Sequence, residues 1–225
     1  MTPQAAHRIA VFAAVLFVSG AAHMAPATAE DPSAGQIVDA LQPKVKFRAF
    51  DPAQAERESR QTDLVRRLQR EKTRQITVEE RNEIAEVVEE NDLPAIDLEV
   101  FFAFDSAEIT PEALPILKKL GAALSDDTLK GSVFLVAGHT DGKGSDGYNL
   151  DLSDRRAKSV QRFLIEEFDI DSKQLVAVGF GEEQLKNDAD PRAAENRRVQ
   201  VANVASKDVA AKAGAPEEAA DPNEE

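Results

Sequence analysis

Two opposite charges stand out in the stretch 138–157. Asp141 follows an apolar run, 133–137, that is typical of a strand and passes into a glycine-rich polar loop. Arg156 lies in the early turns of the helix predicted next, where the positive end of the helix dipole disfavours a cation. A carboxylate and a guanidinium on two rigid elements could bind the ammonium and the carboxylate of an amino acid. The alternative is an ordinary surface ion pair of Arg156 with Asp141 or Asp154, which would contribute little.

The elements that must position these residues follow the order β-α-β-α-β-β. They are a strand over Ile96 to Phe104, a helix that starts at Thr110-Pro111-Glu112, a strand at 133–137, a helix that buries Ala157, Val160, Leu164 and Phe168, and strands at 174–180 and 199–204. Because the two helices can cover one face of the sheet, the pattern predicts an α/β (α+β) two-layer sandwich. It leaves the order of the strands open. The loop after 133–137 lies at the carboxyl end of a strand, where α/β folds place ligand sites.

Several motifs in this region resemble the OmpA-like C-terminal, peptidoglycan-binding domain family. They are Phe102-Ala103-Phe104-Asp105-Ser106-Ala107-Glu108-Ile109, Gly138-His139-Thr140-Asp141, Tyr148-Asn149, Leu152-Ser153, Arg156-Ala157, Gly179-Phe180-Gly181-Glu182 and Asn196-Arg197-Arg198-Val199, in the family's order. The resemblance covers roughly residues 95–205 and implies that Asp141 and Arg156 grip the diaminopimelate of the wall's stem peptide. It further implies that Asn149, Arg197 and the loop after Phe104 line the same pocket. At Ala107, where some members carry a ligand-contacting polar residue, this chain offers only its backbone.

For function, the resemblance implies non-catalytic binding of peptidoglycan that anchors the protein to the cell wall and supports the envelope. The location would be the periplasm, in association with the wall or the outer membrane. Two alternatives stay open: a periplasmic scaffold that recruits a partner through residues 30–94, and a wall-remodelling hydrolase. A hydrolase would need a metal cluster or a cleft with paired carboxylates, and the sequence pattern indicates neither.

The charge of the chain argues against several classes of partner. A formal net charge of −14 over 225 residues makes nucleic acid and anionic membrane surfaces poor partners. The sequence contains no cysteine, so we expect neither a disulfide nor a lipid anchor attached to an N-terminal cysteine. Oligomeric state is not readable from these features.

The first 29 residues have the pattern of a secretory signal peptide. Arg8 precedes an apolar run over 9–22, and Ala27-Thr28-Ala29 provides a small-x-small cleavage site. The apolar run is too short and too rich in alanine for a typical membrane span, so we expect no membrane-spanning segment after cleavage. Retention of the run as an uncleaved anchor is the alternative.

The rest of the chain divides into segments of different composition. Residues 30–52 are predicted to be an N-terminal arm, in which 44–48 alternate as in a short strand. Residues 53–94 are predicted to be a charged helical spacer, with a capping box at Thr77 and Glu80. The OmpA-like domain follows at 95–205, and 206–225 are predicted to be a disordered acidic tail.

A metal or a cofactor is not expected. His139 is the only histidine outside the predicted signal, which argues against a histidine-rich zinc site, and we expect it to hydrogen-bond within the fold. A calcium loop starting at Asp141 would place Lys143 and Leu152 where oxygen ligands are required. We expect Tyr148 to pack under the loop, with stacking on a ligand as the alternative. We expect Asn149 to cap the following helix, although its side chain could also contact a ligand.

Overall fold

The computed structural model describes residues 31–43, 52–70, 76–103 and 105–214. The predicted signal peptide and the predicted strand at 44–48 lie outside the described residues. Among the described helices, none has the length and apolar composition that crossing a bilayer requires.

A four-stranded sheet forms the centre of the fold. Its strands are β1 (Ala95–Leu98), β2 (Val133–His139), β3 (Leu175–Gly181) and β4 (Val199–Ala205), in the spatial order β1-β4-β2-β3. β4 is antiparallel to both of its neighbours, whereas β2 and β3 are parallel. The carboxyl ends of β2 and β3 therefore lie beside the amino end of β4, at one end of the sheet.

The first strand is shorter than predicted. It ends at Leu98, and Phe102 makes only an isolated antiparallel bridge to Ile109. The chain leaves the sheet after Leu98, Val100 is still buried, and the backbone turns at Asp105 with a φ of 52°. The side chain of Phe101 is consequently exposed.

One face of the sheet is covered by three helices. They are α1 (Ala34–Leu41), α4 (Leu114–Leu124) and α5 (Asp146–Phe168). Ile37 and Leu41 of α1 are fully buried in the same core as Leu117 and Leu120 of α4. The predicted order β-α-β-α-β-β, with helices α4 and α5 between the strands, is confirmed.

The opposite face carries a further helical layer. It consists of α2 (Pro52–Arg70), α3 (Val78–Glu90) and α6 (Lys207–Gly214). Leu64, Val65, Ile84 and Val87 pack in one core with residues of β2, β3 and β4. α3 begins with the predicted capping box, in which Thr77 and Glu80 exchange hydrogen bonds between side chain and backbone. Most of the predicted spacer is thus part of the packed structure.

The prediction of a disordered tail over 206–225 is wrong for its first part, because residues 207–214 form α6. Val209, Ala210 and Ala213 give this helix a small apolar side that packs against the second core. The carbonyl of Ala213 also accepts a hydrogen bond from Nε of Arg66 on α2, at 3.2 Å. Residues 215–225 lie outside the described part of the chain.

Candidate functional site

A cavity of about 610 Å³ opens at the end of the sheet where β2 ends and β4 begins. Its walls come from the segment after β1, from the loop between β2 and α5, from the first turns of α5 and from the segment before β4. The four residues predicted to form the site, Asp141, Asn149, Arg156 and Arg197, all line this cavity.

The sheet brings two distant parts of the chain together at this cavity. Because β2 and β4 are antiparallel neighbours, the loop after β2 meets the segment before β4. The amide of His139 donates to the carbonyl of Arg198 at 3.0 Å, and the amide of Gly142 donates to the carbonyl of Pro191 at 2.7 Å. Asp141 therefore lies next to Arg197, although 56 positions separate them in the sequence.

Two glycines allow α5 to lie close to the sheet. A Cβ atom at Gly138 would lie 2.3 Å from the carbonyl oxygen of Ser153, and one at Gly179 would lie 2.3 Å from the backbone nitrogen of Asp154. The hydroxyl of Ser153 accepts a hydrogen bond from the amide of Gly181 at 2.9 Å. This close packing fixes the part of α5 that carries the candidate ligand-binding residues.

Asp141 pairs with Arg197. Its Oδ2 lies 2.7 Å from Nη1 of Arg197, and its Oδ1 accepts a hydrogen bond from the amide of Lys143 at 3.3 Å. The Asp141 side chain is 16% exposed, whereas that of Arg197 is 49% exposed. The alternative ion pairs of Arg156 with Asp141 or Asp154 are not formed, and Asp154 instead pairs with Lys158 at 2.6 Å.

Arg156 is held in the cavity wall by neutral groups. Its Nε donates to the carbonyl of Ser106 at 3.0 Å, and its guanidinium carbon lies 4.9 Å from the centroid of the Phe102 ring. Among the described residues, no carboxylate forms an ion pair with it. Burial is the main cause that lowers the pKa of Arg156 below its usual value. The site therefore holds a partly dehydrated guanidinium with its charge available to an anion.

The prediction that Asn149 caps α5 is wrong. Ser145 is the cap, with the extended backbone that this position requires, and its hydroxyl accepts from the amide of Tyr148 at 3.4 Å. Asn149 is buried one turn further on, and its Nδ2 donates to the carbonyl of Asp141 at 3.3 Å and to Oε2 of Glu182 at 2.5 Å. Asn149 thus supports the loop that carries Asp141.

The prediction that His139 hydrogen-bonds within the fold is also wrong for its side chain. Both ring nitrogens are buried without a hydrogen-bond partner among the described residues, and the ring stacks on Phe180 with centroids 5.5 Å apart. Burial, helped by the charge of Arg198, lowers the pKa of His139 to about 3. The imidazole is therefore neutral near pH 7 and is a poor candidate for proton transfer at that pH.

Two aromatic side chains in the cavity wall are open to solvent. Tyr148 is 41% exposed and Phe101 is 51% exposed. The hydroxyl of Tyr148 donates a short hydrogen bond to Oδ1 of Asp105, which joins the segment after β1 to the start of α5. This hydrogen bond is the main cause that raises the pKa of Tyr148. The predicted packing of Tyr148 is therefore wrong in one respect, because the ring is not buried beneath the loop.

Asn196 organises the segment before β4, a role that no pattern in the sequence indicated. Asn196 is fully buried. Its Oδ1 accepts from the amides of Lys186 and Asn187, both at 2.8 Å. Its Nδ2 donates to the carbonyls of Asn187, Asp190 and Pro191 at 3.3, 3.1 and 3.1 Å. The only signal in the sequence was its place in the motif that contains Arg197.

Arg198 lies behind the site in a polar cluster with Asp97. Its Nε donates to Asp97 at 3.1 Å, and Lys186 pairs with the same carboxylate at 2.9 Å. Burial alone would raise the pKa of Asp97, but the hydrogen bond from Lys186 and the charge of Arg198 outweigh it, so the pKa is lowered. This cluster fixes the start of β4.

The described part of the chain offers no obvious metal site, because no group of three or more His, Cys, Asp or Glu side chains there could hold an ion. The cavity wall does present both signs of charge. The carboxylate of Asp141 is negative, and the guanidinium groups of Arg156 and Arg197 are positive. Such a set suits a ligand that also carries both charges.

The region around this cavity is similar to a known family of protein domains. Residues 101–199 match the model of the OmpA family. These residues form an OmpA family domain. The predicted resemblance is thereby confirmed, and the matched range of the OmpA domain falls within the predicted 95–205.

Relatives of the OmpA domain are envelope proteins by name. The chain is 35% identical over 103 residues to a peptidoglycan-associated lipoprotein of Pseudomonas putida, covering 45% of this chain and 60% of that protein. It is 33% identical over 116 residues to outer membrane porin F of Pseudomonas aeruginosa, covering 52% and 30%. The chain thus spans about three fifths of the length of the first of these relatives. Among solved structures, the peptidoglycan-associated lipoprotein from Burkholderia pseudomallei aligns at 29% identity with a TM-score of 0.39, covering 46% of this chain and 86% of that one.

Proposed function

We propose that the OmpA domain binds peptidoglycan through the diaminopimelate of the stem peptide and so anchors this protein to the cell wall in the periplasm. The observation that carries the proposal is Arg156. Its guanidinium is partly buried, held by a carbonyl and an aromatic ring, and has no carboxylate partner among the described residues. It lines the same cavity as Asp141.

The charges in the cavity match the free end of a diaminopimelate residue. That end carries an ammonium and a carboxylate on one carbon atom. In the proposed complex the guanidinium of Arg156 donates two parallel hydrogen bonds to the ligand's carboxylate, and the ligand's ammonium binds the carboxylate of Asp141. Because both groups are partly desolvated, the loss of either charge would leave the opposite charge of the ligand without a partner.

The name of the relative in Pseudomonas putida supports this proposal, since that protein is called peptidoglycan-associated. The range that matches the OmpA family includes all four of the predicted site residues. In the proposed complex, Asn149 holds the loop of Asp141 in place, and Arg197 lines the same cavity.

The experiment is a pull-down of the purified full-length chain with isolated peptidoglycan. Asp141→Asn and Arg156→Gln should each leave most of the protein in the supernatant, while the wild type sediments with the wall. Arg155→Gln is the matched control: it removes the neighbouring arginine on α5, whose Nε pairs with Asp151 at 2.8 Å outside the cavity. Sedimentation of either site variant at the wild-type level, with the fold intact by circular dichroism, would refute the proposal.

The same samples test the alternative of a wall hydrolase. Release of dye from labelled peptidoglycan by the wild type would favour that activity, whereas binding without release favours an anchor. We propose the anchor, because the histidine in the cavity wall is held neutral and is a poor acid or base near pH 7.

The scaffold alternative needs a test that leaves the fold intact, which deletion of residues 30–94 would not do. Ile37, Leu41, Ile84 and Val87 are buried in the two cores, so such a deletion would remove part of both. Glu79 and Asn82 are instead exposed on α3. A double variant, Glu79→Gln with Asn82→Lys, should therefore leave wall binding intact. Loss of a co-purifying protein from that variant alone would favour the scaffold.

A further inference from the structure

Arg197 already forms an ion pair with Asp141, the carboxylate that binds the ligand's ammonium in the proposed function. Nη1 of Arg197 lies 2.7 Å from Oδ2 of Asp141. An incoming ammonium must therefore take the place of a guanidinium. A cation that did so without compensation would separate an existing pair of opposite charges.

The backbone of Arg197 is fixed while its side chain is half open to solvent. Its amide donates to the carbonyl of Ala194 at 3.0 Å, and the preceding Asn196 is fully buried. The Arg197 side chain is 49% exposed. The guanidinium can therefore turn towards a new partner by rotation of its side chain alone.

Arg197 is also within electrostatic reach of Arg156. Burial is the main cause of the lowered pKa of Arg156, the charge of Arg197 lowers it further, and the charge of Asp141 acts in the opposite direction. A carboxylate bound to Arg156 would thus lie near a second guanidinium.

We propose that Arg197 determines the specificity of the cavity by exchanging partners: a ligand that carries an ammonium and a carboxylate on one carbon inserts between Asp141 and Arg197. The ligand's ammonium pairs with Asp141, and its carboxylate binds both Arg156 and the guanidinium of Arg197 that has been released. No charge is left unpaired. A ligand that carries only an ammonium displaces Arg197 from Asp141 but supplies no carboxylate, so the guanidinium of Arg197 loses its ion pair. This inference rests on the proposed function.

The test uses two synthetic stem peptides that differ by one carboxylate. One ends in diaminopimelate and the other in lysine, and both are amidated at the C-terminal carboxyl group, so that only the diaminopimelate peptide carries a free amino-acid end. Binding of each to the full-length wild type and to Arg197→Gln is measured by calorimetry. Arg192→Gln, in the same segment and exposed, is the matched control.

We expect Arg197→Gln to change the two affinities in opposite directions. It should bind the diaminopimelate peptide about tenfold more weakly, because one charge-assisted contact is lost. It should bind the lysine peptide more tightly, because Asp141 is no longer paired with Arg197. Arg192→Gln should match the wild type for both peptides.

Three results would overturn the inference: equal weakening of both peptides, tightening of both, or no change in either. Asp141→Asn separates this outcome from the proposed function. If the wild type binds the diaminopimelate peptide and Asp141→Asn does not, the proposed function stands whatever Arg197→Gln does. Failure of the wild type to bind either peptide overturns both proposals.

Discussion

The hydroxyl of Tyr148 donates a hydrogen bond to the carboxylate of Asp105 and so joins two walls of the cavity. Tyr148 lies in the first turn of α5, and Asp105 lies in the turn that follows β1, at a φ of 52°. The segment after β1 contacts Arg156 through Phe102 and Ser106. The hydrogen bond therefore links this segment to α5, the helix that carries Arg156.

This hydrogen bond can be measured directly, because Tyr148 is the only tyrosine and the chain has no tryptophan. The phenol should titrate above its usual pKa of 10.0, since the charged acceptor holds the proton on the ring. Asp105→Ala should return the pKa towards that value, as followed by the near-ultraviolet absorbance of the phenolate. Identical titration curves for the two proteins would show that the contact does not form in solution.

His139 should make the protein less stable in acid. Its pKa is about 3 in the folded state and about 6.5 when unfolded, so between these two values it is mainly the unfolded chain that takes up the proton. The loss of unfolding free energy should reach about 3 kcal/mol near pH 4 and vanish above about pH 7.5.

His139→Phe should remove this contribution while keeping a ring on Phe180. Urea unfolding at neutral and acidic pH should therefore show a smaller loss of stability for the variant than for the wild type. Other carboxylates titrate in both proteins, so the difference between the two slopes isolates His139. Parallel slopes would contradict the prediction.

Asn196 should be important for both folding and binding. Asn196→Ala removes five hydrogen bonds. The amides of Lys186 and Asn187 lose their acceptor, whereas the carbonyls of Asp190 and Pro191 keep the amides of Ala193 and Gly142 as donors. The loss should lower the unfolding free energy by about 2–3 kcal/mol. Binding to peptidoglycan should weaken as well, because the segment that presents Arg197 loses its anchor. Asp188→Ala, an exposed change in the same segment, should stay within about 0.5 kcal/mol of the wild type. Equal stability of the two variants would argue against this role.

The sequence was most informative where the signal is local. The capping box at Thr77 and Glu80 predicted the start of α3, and the apolar run at 133–137 predicted most of β2. Both depend on residues within a few positions of one another. The family motifs predicted which residues line the cavity, since all four lie in its wall.

The contacts that the sequence did not reveal join distant residues. The pairing of Asp141 with Arg197 depends on the order β4-β2 in the sheet, which no local pattern encodes. α6 has only a small apolar side, and the core that buries Ala213 comes from elements far away in the sequence. Asn149 and Ser145 are both good capping residues, and only the backbone conformation distinguishes them.

The close approach of α5 to Gly138 and Gly179 has a consequence for the width of the cavity. A single methyl group at either position would push the helix outward, and Arg156 would move away from the strand that leads to Asp141. The gap between the two charges is therefore set by the missing side chains of two glycines beneath the helix.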